Sequence, residues 1–230
     1  MAEENKNNLD PINEENTLES SLSKTESILV NNKKKITNIL TGVLVLLALL
    51  FFMKKQVWEP AELEAKNLAW EAQYAFEKDS FQLAQDLFAE ITEDFGSTEA
   101  GNGALFYKGV SEMKLGQFEE AIESFKSFDA DGYIIPGIKN GLLGDCYSEI
   151  GEWEKAVDYY EKAGEIAKSE ITSPYYLKKA GILLEQNNDA EKAHEIYEEI
   201  LNKYYFEGSG KFVQERNEIL KLNNRAQAQL

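Results

Sequence analysis

The sequence predicts an all-α protein: a single N-terminal transmembrane helix, then an α-solenoid of about four helix-turn-helix repeats with a C-terminal capping helix. Two observations carry this. An uncharged apolar run of membrane-spanning length stands near the start, and the chain beyond it resembles itself at intervals of 35 to 37 residues. Composition agrees: 230 residues, 43% hydrophobic and 28% charged, describe a globular protein with a core rather than a disordered chain. A third observation concerns what holds the core. The single Cys146 has no disulfide partner, and no Cys/His cluster has zinc-site spacing, so stability must come from packing.

Residues 1–35 form a polar N-terminal tail. Met1 to Asn16 are rich in Asn and Glu with almost nothing apolar, which cannot offset the entropy of ordering. From Thr17 onward Leu18, Leu22, Thr25 and Leu29 recur at helical spacing. They suit either a short amphipathic helix leading into the membrane or a partly ordered linker.

Residues 36–55 read as the transmembrane helix. Ile36 to Met53 carry no charge, and at about 1.5 Å per residue they cover roughly 27 Å, close to the hydrocarbon thickness. Ile36, Leu44, Leu47, Leu50 and Phe52 are the anchoring side chains, Lys33 to Lys35 and Lys54 to Lys55 flank them, and Trp58 stands where an interfacial aromatic sits. A buried core helix rarely shows ten consecutive residues without a polar face, as Val43 to Phe52 do. A cleaved signal peptide is disfavoured by the long acidic segment before the run and by Phe51-Phe52-Met53-Lys54, which offers no small-residue cleavage site. The slight excess of lysines before the run places the N-terminus in the cytoplasm.

Residues 60–205 hold the repeats, at about 61–97, 98–134, 135–171 and 172–205. Each has a small residue followed four positions later by an aromatic: Ala84/Phe88, Ala121/Phe125, Ala156/Tyr160 and Ala193/Tyr197. Twelve residues before that alanine stands Ala72, Gly109, Gly144 or Gly181, where two helices can approach closely. A turn former, Asp79, Gly116, Gly151 or Asn188, ends the first helix of each pair. Residues 206–230 follow as a loop and a polar helix with Phe212, Ile219 and Leu222 on one face, which would cap the last repeat.

Catalytic, metal-binding and cofactor constellations are not found. His194, the one histidine, reads as a surface residue, and Cys146, beside Asp145, as an inert core thiol. The GSGK at Gly208 to Lys211 lacks the first Gly and the Ser/Thr of a phosphate loop, and no strand precedes it. Glu119-Glu120 and Glu198-Glu199 are adjacent on helices and point apart, so they read as solvated faces. The formal charge of -17 disfavours nucleic acid as a partner. The protein reads as no enzyme, with no cofactor, no metal and no small-molecule substrate.

The stretches Ala104 to Phe128 and Gly141 to Ala163 resemble tetratricopeptide repeats (TPRs), with four units in register. The first unit departs at Glu71 and Ala75, where the family prefers Leu and Tyr, and the fourth at Asn188 and Ala190. The resemblance implies a concave groove lined by the first helices. Its register places Trp70, Gln73, Phe106, Val110, Met113, Asp145, Tyr175, Lys178 and Ile182 there as partner-binding residues, suited to an extended or helical polypeptide. The positions that grip the acidic C-terminus of cytosolic chaperones in some TPR proteins hold Ala69, Gln73, Ile138 and Leu142 here, so that carboxylate clamp is absent.

The whole arrangement, with YAFEKDSF at Tyr74 to Phe81 and FGSTEAGNGALFYKG at Phe95 to Gly109, resembles the YfgM-like family of Bacteroidota type, ancillary subunits of the bacterial SecYEG translocon. That resemblance implies a bacterial inner-membrane protein with a periplasmic TPR domain. It implies as partners the SecYEG translocon, a PpiD-type membrane-anchored chaperone and exported polypeptides, with a scaffold or chaperone-accessory role. The other function the residues suit is an envelope signalling or assembly adaptor that binds a different protein through the groove.

Overall fold

The computed structural model describes residues 32–132, 134–204 and 210–227, with side chains to residue 221. The expected helix around Leu18 to Leu29, the loop residues 206–209 and the side chain of Leu222 lie outside the described residues. All regular structure among those described is helical, and the chain divides into two units at Glu59 and Pro60.

The first unit is built on α1, Lys33–Met53, followed by a π-helical turn at Lys54–Trp58. The helix starts three residues before the expected Ile36, because the Ile36 amide already donates to the Asn32 carbonyl at 2.9 Å. Its 21 residues correspond to about 31 Å. None of them is buried. Leu44, Leu47, Leu50 and Phe52 stand exposed around the helix, as does Trp58 in the π turn, while Ile36 is half-buried. By length and composition this helix is long and apolar enough to cross a membrane.

The second unit runs from Pro60 as four helix pairs and a final helix. The pairs are α2 (Glu59–Glu77) with α3 (Phe81–Phe95), α4 (Glu99–Lys114) with α5 (Phe118–Ser127), α6 (Ile134–Glu149) with α7 (Trp153–Ala167), and α8 (Thr172–Gln186) with α9 (Ala190–Lys203); α10 is Gly210–Gln227. This is a solenoid of stacked helix-turn-helix units.

Each pair is closed by the same turn. Asp79, Gly116, Gly151 and Asn188 have φ of 56, 77, 79 and 63°. The left-handed conformation lets the next amide return to the carbonyl five residues earlier, in Ser80 to Ala75, Gln117 to Glu112, Glu152 to Tyr147 and Asp189 to Leu184, at 2.9 to 3.0 Å. Glycine adopts it without strain at positions 116 and 151, and Asp and Asn are the side chains that tolerate it best at the terminal units.

Packing follows the same register. Ala84, Ala121, Ala156 and Ala193 are fully buried, and Phe88, Phe125, Tyr160 and Tyr197 next to them are at most 4% exposed. The ring of each of the last three lies over the glycine of its own first helix. A Cβ on Gly109, Gly144 or Gly181 would come within 2.8, 2.6 or 2.4 Å of Phe125, Tyr160 or Tyr197. Burying each such ring contributes about 2–3 kcal/mol, and only a side chain of hydrogen on the facing helix leaves room for it.

The capping helix packs by a different face from the expected one. Among its described side chains Val213, Asn217 and Leu220 are buried, whereas Phe212 and Ile219 are exposed. The reason lies across the contact: Asn217 is only 2% exposed because the His194 ring meets its carbonyl oxygen and its amide donates to Glu198 at 2.5 Å. A polar residue thus becomes the centre of the buried stripe. His194 is accordingly a docking residue for α10 rather than a free surface side chain, and Glu198 is a bridge to Asn217 and Lys221 rather than a solvated charge.

Candidate partner-binding groove

The residues expected to line the groove fall into three groups. Trp70 on α2 and Tyr175 on α8 are exposed, at 74% and 50%, although the Tyr175 ring also packs edge-on against Tyr176 with centroids 5.1 Å apart. Phe106, Val110 and Met113 on α4 are half-buried against the core, and Phe106 packs its ring on Phe125 and Phe128 with centroids 6.0 and 5.5 Å away. These three support the helix packing as much as they face outward. The third group, Gln73, Asp145, Lys178 and Ile182, is half-buried, and the first three contact neighbouring units.

Those contacts explain how the first helices are held side by side. Gln73 Nε2 donates to the Tyr107 hydroxyl at 3.4 Å, joining α2 to α4. Asp145 accepts from Lys179 Nζ and from the Tyr160 hydroxyl, both at 2.6 Å, joining α6 to α8 and to α7. The Lys179 ammonium also lies over the Tyr160 and Tyr175 rings, at 5.4 and 5.3 Å. Burial works against the Lys179 charge, but the Asp145 carboxylate outweighs it and raises the pKa, while burial and Asp145 push the Tyr160 hydroxyl well above its ordinary range. Both bonds fall on Asp145 Oδ1, so that oxygen is engaged within the protein. Lys178 extends over the exposed ring of Phe212 at 5.7 Å.

Tyr107, Tyr160 and Lys179 were not among the residues the register selects. A signal for two of them was present: Gln73–Tyr107 and Asp145–Lys179 each join residues 34 apart, one nominal repeat.

Between α2 and α4 the face opens into a cleft of about 270 Å³, with Ala69, Ala100 and Ala104 beside the edge of Phe88. Glu62, Lys66 and Glu99 stand on its rim. Glu62 ties the two helices at that end, accepting from the Ala100 amide at 3.2 Å and pairing with Lys66 at 3.0 Å. A second recess of about 580 Å³ lies among the second helices, where Asp158, Glu161 and Glu165 of α7 face Lys203 and Tyr204.

Chemistry that would need a nucleophile or metal is not assembled among the described residues. Cys146 is fully buried, and burial with the Asp145 charge beside it pushes its thiol up to about 12. Groups of three or more potential metal ligands are absent among the described residues. Gly210 and Lys211 of the GSGK sequence open α10.

Residues 103–130 and 141–170 each match a family model described as tetratricopeptide repeat. No curated protein matches the chain. Among solved structures, a MamA protein is similar at 17% identity, over 68% of this chain and 80% of that one, with a TM-score of 0.55. A kinesin-light-chain protein of Podosopora anserina with nearly identical TPR-like repeats is similar at 16% identity, over 74% and 90%, with a TM-score of 0.55. BtubC (BKLC) from P. vanneervenii is similar at 12% identity, over 73% and 76%, with a TM-score of 0.54. At these identities the likeness is one of fold.

Proposed function

We propose that this chain, a tetratricopeptide-repeat protein with one N-terminal helix long and apolar enough to span a membrane, is a non-enzymatic membrane-anchored scaffold and chaperone accessory of protein export. In this reading the N-terminus is cytoplasmic and the repeats face the periplasm of a bacterial inner membrane. The partners are the SecYEG translocon, a PpiD-type anchored chaperone and the exported polypeptides themselves.

One observation carries the reading: a solenoid of four repeat units, the architecture of protein-binding scaffolds, follows directly on an apolar helix none of whose residues is buried among the described residues. The exposed Trp70 and Tyr175 supply aromatic contact area at low entropic cost, as polypeptide-binding surfaces do. The translocon and chaperone partners rest on the sequence resemblance to the YfgM-like family.

The test is in-cell crosslinking from a photoreactive side chain at Tyr175, which is exposed, with Phe106, which is packed, as the internal control. Capture of translocon subunits, an anchored chaperone or exported chains from position 175 is the expected result. Recovery of one unrelated regulator would move the protein to the adaptor class.

A further inference from the structure

We propose that the cleft between α2 and α4 is an anchor site for a single bulky apolar side chain, Leu- or Phe-sized, carried next to a Lys or Arg on an extended partner segment. The proposal rests on the groove reading above and adds to it the place and chemistry of capture.

Glycine carries the argument. Three glycines stand in α4, and two have a packing reason: a Cβ at Gly101 would strike the Phe95 carbonyl oxygen, and one at Gly109 would strike the Phe125 ring at 2.8 Å. Gly103 has none. A Cβ there meets nothing within 4 Å, and its φ is not in the left-handed region. The interior of a helix is an unfavourable place for glycine, so an unfilled glycine needs another cause. What its missing side chain does leave is the open side of the cleft, which it lines with Ala69, Ala100 and Ala104. Close approach of a ligand to backbone is the use to which such a glycine is put.

Size and charge define the occupant. A volume of about 270 Å³ is below the roughly 300–1,000 Å³ of sites for whole small ligands, and far above the roughly 10–15 Å³ that a single water needs. It suits one large side chain, whose apolar surface would meet three alanines and Phe88. On the rim Glu62 is paired with Lys66, which leaves Glu99 as the unbalanced charge. The charges up to Lys55 cancel, so the whole -17 falls on the rest of the chain. A basic neighbour to the apolar anchor is the complement to that field.

The experiment uses the full chain in non-ionic detergent and fluorescent decapeptides of serine and glycine with a central Leu, Phe or Ser flanked by Lys or by Glu. Lys-flanked Leu and Phe peptides are expected to bind at least tenfold more tightly than the Ser peptide and more tightly than their Glu-flanked versions. Gly103→Leu, which fills the cleft from within, is expected to weaken binding at least tenfold while the thermal midpoint stays or rises. Equal binding of Ser and Leu peptides, or unchanged binding by Gly103→Leu, overturns the proposal. Should that variant fail to fold, a photoreactive side chain at Gln73 decides in the otherwise parental chain. Capture of the Lys-flanked Phe peptide there supports the cleft, and capture only from Tyr175 overturns it while leaving the groove reading intact. Because peptide binding is read on purified protein, absence of translocon partners in cells leaves this result independent.

Discussion

Among the described residues Glu112 is the one carboxylate sealed inside the second unit, at 1% exposure, and both its oxygens are engaged. Lys108 Nζ lies 2.7 Å away, the Ser124 hydroxyl donates at 2.6 Å, and Gln85 of the preceding helix pair reaches it at 3.4 Å. Removing one partner of a buried pair costs about 3–5 kcal/mol, and because Lys108 is itself a quarter exposed the expectation for Lys108→Met is about 2–4 kcal/mol. Adding Glu112→Gln, which keeps the Ser124 contact without the charge, is expected to recover more than half, measured by urea unfolding of both variants. The glycines offer a second contrast at this scale. Gly144→Val pushes methyls into Tyr160, which stands 2.6 Å from the position of a Cβ, and is expected to cost about 1–3 kcal/mol. Gly103→Ala, with open space around it, is expected to stabilise by up to about 1 kcal/mol through helix propensity alone. Equal effects of the two would contradict the packing described. Nothing in the alphabet of the sequence separates these glycines; the neighbour across the contact does.

The helix pairs close by turns that the sequence announces: Gly, Asn and Asp adopt the left-handed conformation most readily, and the four positions that close a pair hold Asp79, Gly116, Gly151 and Asn188, whereas Lys168, which is left-handed between two pairs, carries no such signal. The cap is held otherwise. The faces of α9 and α10 meet through Val213 and Leu220 and through a polar set, His194, Asn217, Glu198, Lys221, while Arg216 of α10 reaches past them to Glu185 of α8. Hydrogen bonds from Lys221 and Asn217 lower the Glu198 pKa from its ordinary 4.5. A carboxylate lowered in the folded state contributes stability that is present above the ordinary value and is lost as pH falls through the folded one. The cap is therefore expected to loosen below about pH 4.5, before the central pairs, seen as faster amide exchange in α10 than in α6 and α7. Uniform loss of protection across the solenoid would contradict this. Phe212 and Ile219 drew the sequence reading to the wrong face because hydrophobicity alone marks a stripe, whereas Asn217 is buried on account of partners 19 and 23 residues away.

For the molecule as a whole, charge sets how partners approach. With the net -17 carried after Lys55, association with basic segments is expected to weaken as salt rises from 50 to 500 mM. Salt-independent binding, measured on the purified chain, would place the contact in apolar groove surface alone. The helical class, the apolar N-terminal helix, the repeat period and the four turns are legible in the order of amino acids alone. Each depends on interactions within about five residues or on a pattern that recurs every repeat. That order also determined which alanines and aromatics would form the core, since a repeated small/aromatic spacing can be satisfied only by stacking. Tertiary structure decided which groove residues are available. Trp70 and Tyr175 stay exposed, Asp145 is bound by Lys179 and Tyr160, and Phe106 is turned onto Phe125 and Phe128. It likewise decided the cleft at Gly103 and the buried face of α10. The physical reason is common to all of these: exposure and pairing belong to two surfaces at once, and a linear sequence describes only one of them at a time.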